Sequence, residues 1–267
     1  MDSSCNTCVN TMFEAKFASA TLLKRILDSV KDLVTEANLL ITEDGIELQA
    51  MDTAHVALVT FTILPEACMI YTCDEEVTLG VNLASFAKII KCAEATDSVV
   101  LRHQDGGATL GISFESNTGS KTSDFAMNLM DIESEYMSIP DTEYSCSIKM
   151  PSSEFAKIVH NMAAFGETAT LSVKEALTME TVGDTGKVQM VVKQDLTAKV
   201  ESARTEIVCS KAVKANFALK YLTAFTKGSA LSDQVQIAML QDVPIYVTYD
   251  IGDKGSVGYY LAPKLDD

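Results

Sequence analysis

FAKIIK, residues 86–91, returns as FAKIVH at 155–160 and more loosely as LLKRIL at 22–27. The lysines in the third place of these runs, Lys24, Lys88 and Lys157, fall 64 and then 69 positions apart (24 to 88, 88 to 157). Recurrence of this kind marks a repeated structural unit. Apolar residues around each run keep helical spacing, which predicts helices over Ala20–Leu33, Leu83–Ala93 and Ser152–Met162. A fourth stretch, Phe217–Lys227, keeps the spacing without the motif.

Strand-like runs surround these helices. Leu39–Ile41 and Ile46–Ala50 flank Glu43-Asp44-Gly45, and Val99–His103 and Thr109–Phe114 flank Gly106-Gly107. Ala169–Val173, Leu177–Thr181 and Lys187–Val192 repeat the arrangement. The expected fold is α+β: a β-α-β-β-β unit four times, in two similar domains of two units, with the helices on one face of antiparallel sheets. Residues 1–11 are polar and aperiodic and read as a disordered extension, with domains over 12–128 and 146–267 joined by a connector over 129–145. That connector begins LMDIESEYMSIP (129–140), acidic through Asp131, Glu133 and Glu135. It carries an apolar plug, Met137-Ser138-Ile139-Pro140, that an exposed linker does not need.

Placed at 100° per residue, the four helices share a charge pattern. Leu22, Leu23, Ile26, Leu27 and Val30 oppose Lys24 and Lys31; Phe86, Ile89 and Ile90 oppose Lys88 and Lys91. Phe155, Ile158, Val159 and Met162 oppose Lys157 and His160; Tyr221, Leu222 and Phe225 oppose Lys220 and Lys227. Asp28 and Asp32 dilute the first face, and the other three are expected to carry no outward acid. Yet the whole chain of 267 residues has a formal net charge of −16. Basic residues segregated to helix faces in so acidic a protein suit a phosphate backbone bound by charge without base readout.

Other function classes find little footing. No phosphate-binding glycine loop, dinucleotide fingerprint or nucleophile elbow occurs. His55, His103 and His160 lack metal-site spacing, Cys5-x-x-Cys8 has no second pair, and Asp74-Glu75-Glu76 reads as a solvated turn. No apolar run approaches the roughly 18 residues of a membrane span. Seven scattered cysteines, an odd number, argue for a reducing compartment rather than a disulfide framework. A scaffold without catalysis, cofactor or metal is the expectation.

Several runs carry a resemblance: MFEA (12–15), GIELQAMDTAHVALV (45–59), GVNLASFAKIIKCA (80–93), LMDIE (129–133), IPDTEYSC (139–146), KMPSSEFAKI (149–158), DVP (242–244) and YYLAPK (259–264). Over Met12–Lys264 the chain resembles the proliferating cell nuclear antigen family, the eukaryotic sliding clamps. The resemblance implies a homotrimeric ring with helices lining the hole, threaded by duplex DNA irrespective of sequence. Such a ring tethers DNA polymerases, the clamp loader and repair proteins in the nucleus. It places Lys24, Arg25, Lys31, Lys88, Lys91, Lys121, Lys157, His160, Lys220 and Lys227 toward DNA; His160 stands where the family usually has Arg. A groove for Gln-x-x-aliphatic-x-x-aromatic-aromatic peptides would comprise Met51, His55, Val56, Leu58, Met137, Ile139, Pro140, Pro244, Tyr260, Ala262 and Pro263. Met137-Ser138 replaces a usual Leu-Gly there.

By the same resemblance, Lys121–Met130 is an edge strand that pairs with Lys187–Val192 of a neighbouring subunit, with Phe125 near that neighbour's Met162 and Phe165. Lys174 lies nearest the family's ubiquitin-accepting lysine. The tail Asp266-Asp267 and the N-terminal extension depart from the family pattern. A checkpoint-type clamp that forms a heterotrimer is the runner-up reading, and an enzyme without a recognisable motif a distant third.

Overall fold

The computed structural model describes residues 11–133, 137, 139 and 142–264. The expectations for residues 1–10, for Ser138 and Pro140 and for the acidic tail lie outside these. The first unit runs β1 (Thr11–Phe17), α1 (Thr21–Val30), β2 (Glu36–Thr42), β3 (Gly45–Met51) and β4 (Ala57–Ile63), followed by a short β5 (Ile70–Cys73). The second is β6 (Val77–Asn82), α2 (Leu83–Lys91), β7 (Ser98–Gln104), β8 (Thr109–Glu115) and β9 (Thr122–Asn128). The third is β10 (Cys146–Pro151), α3 (Ser152–Ala163), β11 (Thr168–Val173), β12 (Ala176–Gly183) and β13 (Gly186–Lys193), followed by β14 (Glu206–Cys209). The fourth is β15 (Val213–Ala218), α4 (Leu219–Phe225), β16 (Gln234–Met239), β17 (Ile245–Asp250) and β18 (Gly255–Leu261). The β-α-β-β-β unit does occur four times.

Four boundaries differ from expectation. Thr11 already pairs with Gln104, so the strand takes in the last residue assigned to the extension. Phe217 belongs to β15, and Lys227 sits in a 3-10 turn, Thr226–Ala230, beyond α4. Lys31 caps α1 rather than lying inside it.

All strand pairs between named elements are antiparallel, in three sheets ordered β5-β1-β7-β8-β9, β14-β10-β16-β17-β18-β4-β3-β2-β6 and β13-β12-β11-β15. The nine-stranded sheet runs through both halves of the chain, joined where β18 pairs with β4 from Gly255↔Ile63 to Leu261↔Ala57.

Helix patterns explain the packing. Leu23, Ile26, Leu27 and Val30 recur at i, i+3, i+4 and i+7 and are buried. The Asn82 side chain caps α2 by accepting from the Ser85 amide at 2.9 Å, and Lys88 and Lys91 complement the dipole at its other end. Strand residues alternate likewise: Leu110, Ile112 and Phe114 of β8 face inward. One hydrophobic core joins both halves. In it Phe225 stacks on Tyr259 at 4.6 Å, and the Tyr259 hydroxyl donates to the Ser29 carbonyl at 3.2 Å.

The start of the connector is strapped to the first half. Met130 exchanges backbone contacts with Gly80, where a Cβ would come within 2.1 Å of the Met130 oxygen, so the close approach requires glycine. Further along, Asn38 Nδ2 donates to the Ile132 carbonyl at 2.9 Å. The Gln49 side chain grips Met137 twice, donating to its carbonyl at 2.9 Å and accepting from its amide at 2.8 Å.

Candidate functional site

The helices form one layer: α1 packs on α2, α3 on α4, and α1 also meets the turn carrying Lys227. Arg25, Lys88, Lys91, Lys157, His160, Lys220 and Lys227 are exposed, while Lys24 and Lys31 are half-buried. Lys121 is exposed too, but lies in the turn before β9 rather than on a helix.

Several of these cations are already engaged. Asp28 pairs with Lys31 and lies 3.4 Å from Lys91, and Asp32 pairs with Lys227. Burial works against the Asp28 charge, but Lys31 and Lys91 outweigh it and hold the carboxyl below the usual range. Lys24 Nζ donates to the Ala93 carbonyl, and the Lys220 ammonium sits 4.7 Å from the centre of the Tyr221 ring. His160 Nδ1 lies 2.6 Å from the Ala156 carbonyl, one turn back. Exposed ion pairs such as Lys91–Asp28 and Lys227–Asp32 contribute about 0–1 kcal/mol, so a phosphate can draw these two lysines away at small cost. The expectation that α3 shows no outward acid does not hold: Glu154 is exposed in its first turn.

On the opposite face of the nine-stranded sheet, cross-strand partners make a single row: Met51, Leu58, Tyr260, Tyr246, Ala238 and Ser147. Their flanking neighbours Ala57, Val59, Tyr259, Leu261, Ile245 and Val247 point into the core, so the row points out. Tyr246 stacks on Tyr260 with centroids 4.3 Å apart, and Tyr144 on Tyr246 at 6.5 Å. Tyr144 also donates to the Pro244 carbonyl at 3.5 Å. Burial raises the pKa of Tyr144 and Tyr260, so both stay neutral phenols.

Ile139 from the connector is 38 % exposed and lies between two cavities. One, of about 530 Å³, is bounded by Thr142, Tyr144, Ser147, Gln236, Ala238, Tyr246 and Tyr260. The other, of about 500 Å³, opens toward Asn38, Glu47, Gln49 and Thr60. Of the expected groove residues, Ile139 and Tyr260 line the tyrosine cavity. Met137 is 44 % exposed beside the connector. His55 and Pro244 are exposed, and Met51, Val56, Ala262 and Pro263 are half-buried, Val56 accepting from the Ala262 amide at 3.0 Å. Leu58 is only 7 % exposed and can supply a floor but no wall. Pro140 lies outside the described residues.

Sequence reasoning missed Tyr144, Tyr246 and Gln49. For Tyr246 a signal was present, because it alternates with Ile245 and Val247 and so must face outward. Gln49 alternates with Leu48 and Ala50 in the same way, but its grip on Met137, like the place of Tyr144, depends on how the connector crosses the sheet.

Of the expected contact residues between subunits, Phe125 is half-buried on β9 against Phe114, at 5.4 Å, and Phe165 is 41 % exposed. Met162 has a relative exposure of 0 % within a single chain, where its helical spacing turns it into the core. Strands β9 and β13 are each the last strand of their sheet. Lys174 is exposed between β11 and β12.

Among the described residues no cluster of three or more His, Cys, Asp or Glu could hold a metal ion, and no helix is long and apolar enough to cross a membrane. Two family models match the chain: the proliferating cell nuclear antigen N-terminal domain over residues 12–136, and the C-terminal domain of the same antigen over 138–264.

Proposed function

The chain belongs to the proliferating cell nuclear antigen family of DNA sliding clamps, and on that premise we propose that three copies close into a ring whose helical layer faces duplex DNA. The observation that carries this reading is the exposure of Arg25, Lys88, Lys91, Lys157, Lys220 and Lys227 on one helical layer of a chain with net charge −16. Lysines on flexible stems meet phosphates as point charges and read no bases, which lets a ring slide.

Closure would use the unlike edges β9 and β13. An exposed strand edge is a template for another chain. Two different edges joined head to tail form a heterologous interface, which makes a ring when the rotation closes. Phe125 and Phe165 would then lie at the seam, and Lys121 at its rim.

On the outer face, the cavity walled by Tyr144, Tyr246, Tyr260 and Ile139 would receive the aliphatic and aromatic anchors of a Gln-x-x-aliphatic-x-x-aromatic-aromatic peptide. Polymerases, the clamp loader and repair proteins bearing such a motif would dock here while the ring holds DNA, in the nucleus. Met51, His55, Val56, Met137, Pro140, Pro244, Ala262 and Pro263 would flank the bound peptide, and Lys174 is the candidate for ubiquitin attachment. The protein acts in this reading as a scaffold, not a catalyst.

Light scattering on the purified chain tests the assembly. A mass near three times 28.9 kDa is expected. A monomer that reaches that mass only with other subunits would favour a heterotrimeric checkpoint-type clamp.

A further inference from the structure

Cys146 opens β10 and Cys209 closes β14, and the two are direct partners in the antiparallel register. Partners in such a pair hold their Cα atoms about 4.5 or 5.5 Å apart, inside the roughly 4.4–6.8 Å that a disulfide spans. Their sulfurs already lie 2.6 Å from each other, and each also faces the Lys211 carbonyl, at 3.1 and 3.3 Å. Cys146 is buried, whereas Cys209 is half-buried at the border of the sheet. Burial also pushes the Cys146 thiol up to about 12; the more accessible Cys209 is the sulfur an oxidant meets first.

We infer that Cys146 and Cys209 form a reversible dithiol–disulfide pair, oxidised by a hydroperoxide, that anchors strand β14 to β10. In the first step the Cys209 sulfur attacks hydrogen peroxide. The O–O bond breaks, the sulfur loses two electrons to become a sulfenic acid, and water leaves. In the second, the Cys146 sulfur attacks the sulfenic sulfur. The S–S bond forms as the S–O bond breaks, and the leaving hydroxide takes the Cys146 proton as water. A dithiol reductant reverses the change by thiol–disulfide exchange.

The strand this bond would hold has need of it. β14 is four residues long, ends the nine-stranded sheet and pairs with β10 alone among the named strands. The link is independent of the clamp reading, since it depends on one strand pair within one chain.

The test uses the full chain, reduced and then exposed to hydrogen peroxide, with remaining thiols alkylated and the digest mapped by mass spectrometry. A peptide joining Cys146 to Cys209 is expected, lost on treatment with dithiothreitol and absent from Cys209→Ser. The exposed Cys92 serves as the internal measure of peroxide dose. Alkylation of both Cys146 and Cys209 at a dose that oxidises Cys92 would overturn the inference. So would overoxidation of Cys209 without a link. Hydrogen exchange of the Glu206–Cys209 amides should be slower in the oxidised protein, and equal rates would refute the anchoring.

Discussion

Asp52 ties the two halves of the chain together at the groove. One carboxylate oxygen accepts from the amides of Val56 and Ala57, both at 2.8 Å. The other accepts from the Ala54 amide at 3.2 Å and from the Tyr221 hydroxyl of α4 at 2.6 Å. These bonds fix a turn in which His55 takes a φ of 55°, a left-handed conformation that a non-glycine residue holds only under constraint. Ala57 is fully buried and Tyr221 nearly so, so Asp52→Ala strands at least two donors away from water. An orphaned buried donor costs about 1–3 kcal/mol, which for two donors with some relaxation puts the loss at about 3 kcal/mol. Tyr221→Phe removes a single bond to a charged group and should cost about 1.5–3 kcal/mol.

The pH dependence follows from the same contacts. Desolvation works to raise the Asp52 pKa, but the Ala57 amide, the Tyr221 hydroxyl and the Val56 and Ala54 amides outweigh it and the net shift is downward. A carboxyl whose folded pKa lies below its unfolded value of about 3.9 adds stability above that value and loses it as pH falls through the folded pKa. The gap between parent and Asp52→Asn should therefore narrow below about pH 4. Urea unfolding at one chain concentration, across pH, reads both effects. Asp52→Ala within about 0.5 kcal/mol of the parent at pH 7, the range of an ordinary surface substitution, would refute the reasoning.

Replacing Lys88 and Lys91 together by Ala should weaken binding to linear duplex and flatten its salt dependence while leaving assembly intact; an unchanged salt series would remove both from the DNA face. Ile139→Ala and Tyr260→Ala should each weaken a Gln-x-x-aliphatic-x-x-aromatic-aromatic peptide by about 1–3 kcal/mol in titration calorimetry, with Lys91→Ala as an unaffected control. Equal affinity for parent and Ile139→Ala would reduce the plug to packing. Phe125→Ala should cost roughly 3–5 kcal/mol if the ring is fully covered in the assembly, and sedimentation should then show a shift toward monomer. A mutant still trimeric at micromolar concentration would count against that seam.

Local pattern made the four units legible. Helix α2 can be read from Phe86, Ile89 and Ile90, because periodicity is a short-range property. Pairings distant in sequence leave no such trace. Nothing near Ala57 tells that its strand partner is Leu261, so the continuous sheet and the outward tyrosine row across it were invisible. The ion pairs Lys91–Asp28 and Lys227–Asp32 are hidden for the same reason. The burial of Met162 is hidden differently: a core side chain and a surface-contact side chain are equally apolar, and composition does not separate them.

The most direct test of encirclement is topological. The clamp, loaded on a nicked circular duplex, is washed at high salt, and the circle is then cut once. A ring held by closure should survive the salt that screens its lysines and leave once the DNA has an end. Release by salt alone from the intact circle, or retention after cutting, would contradict the account.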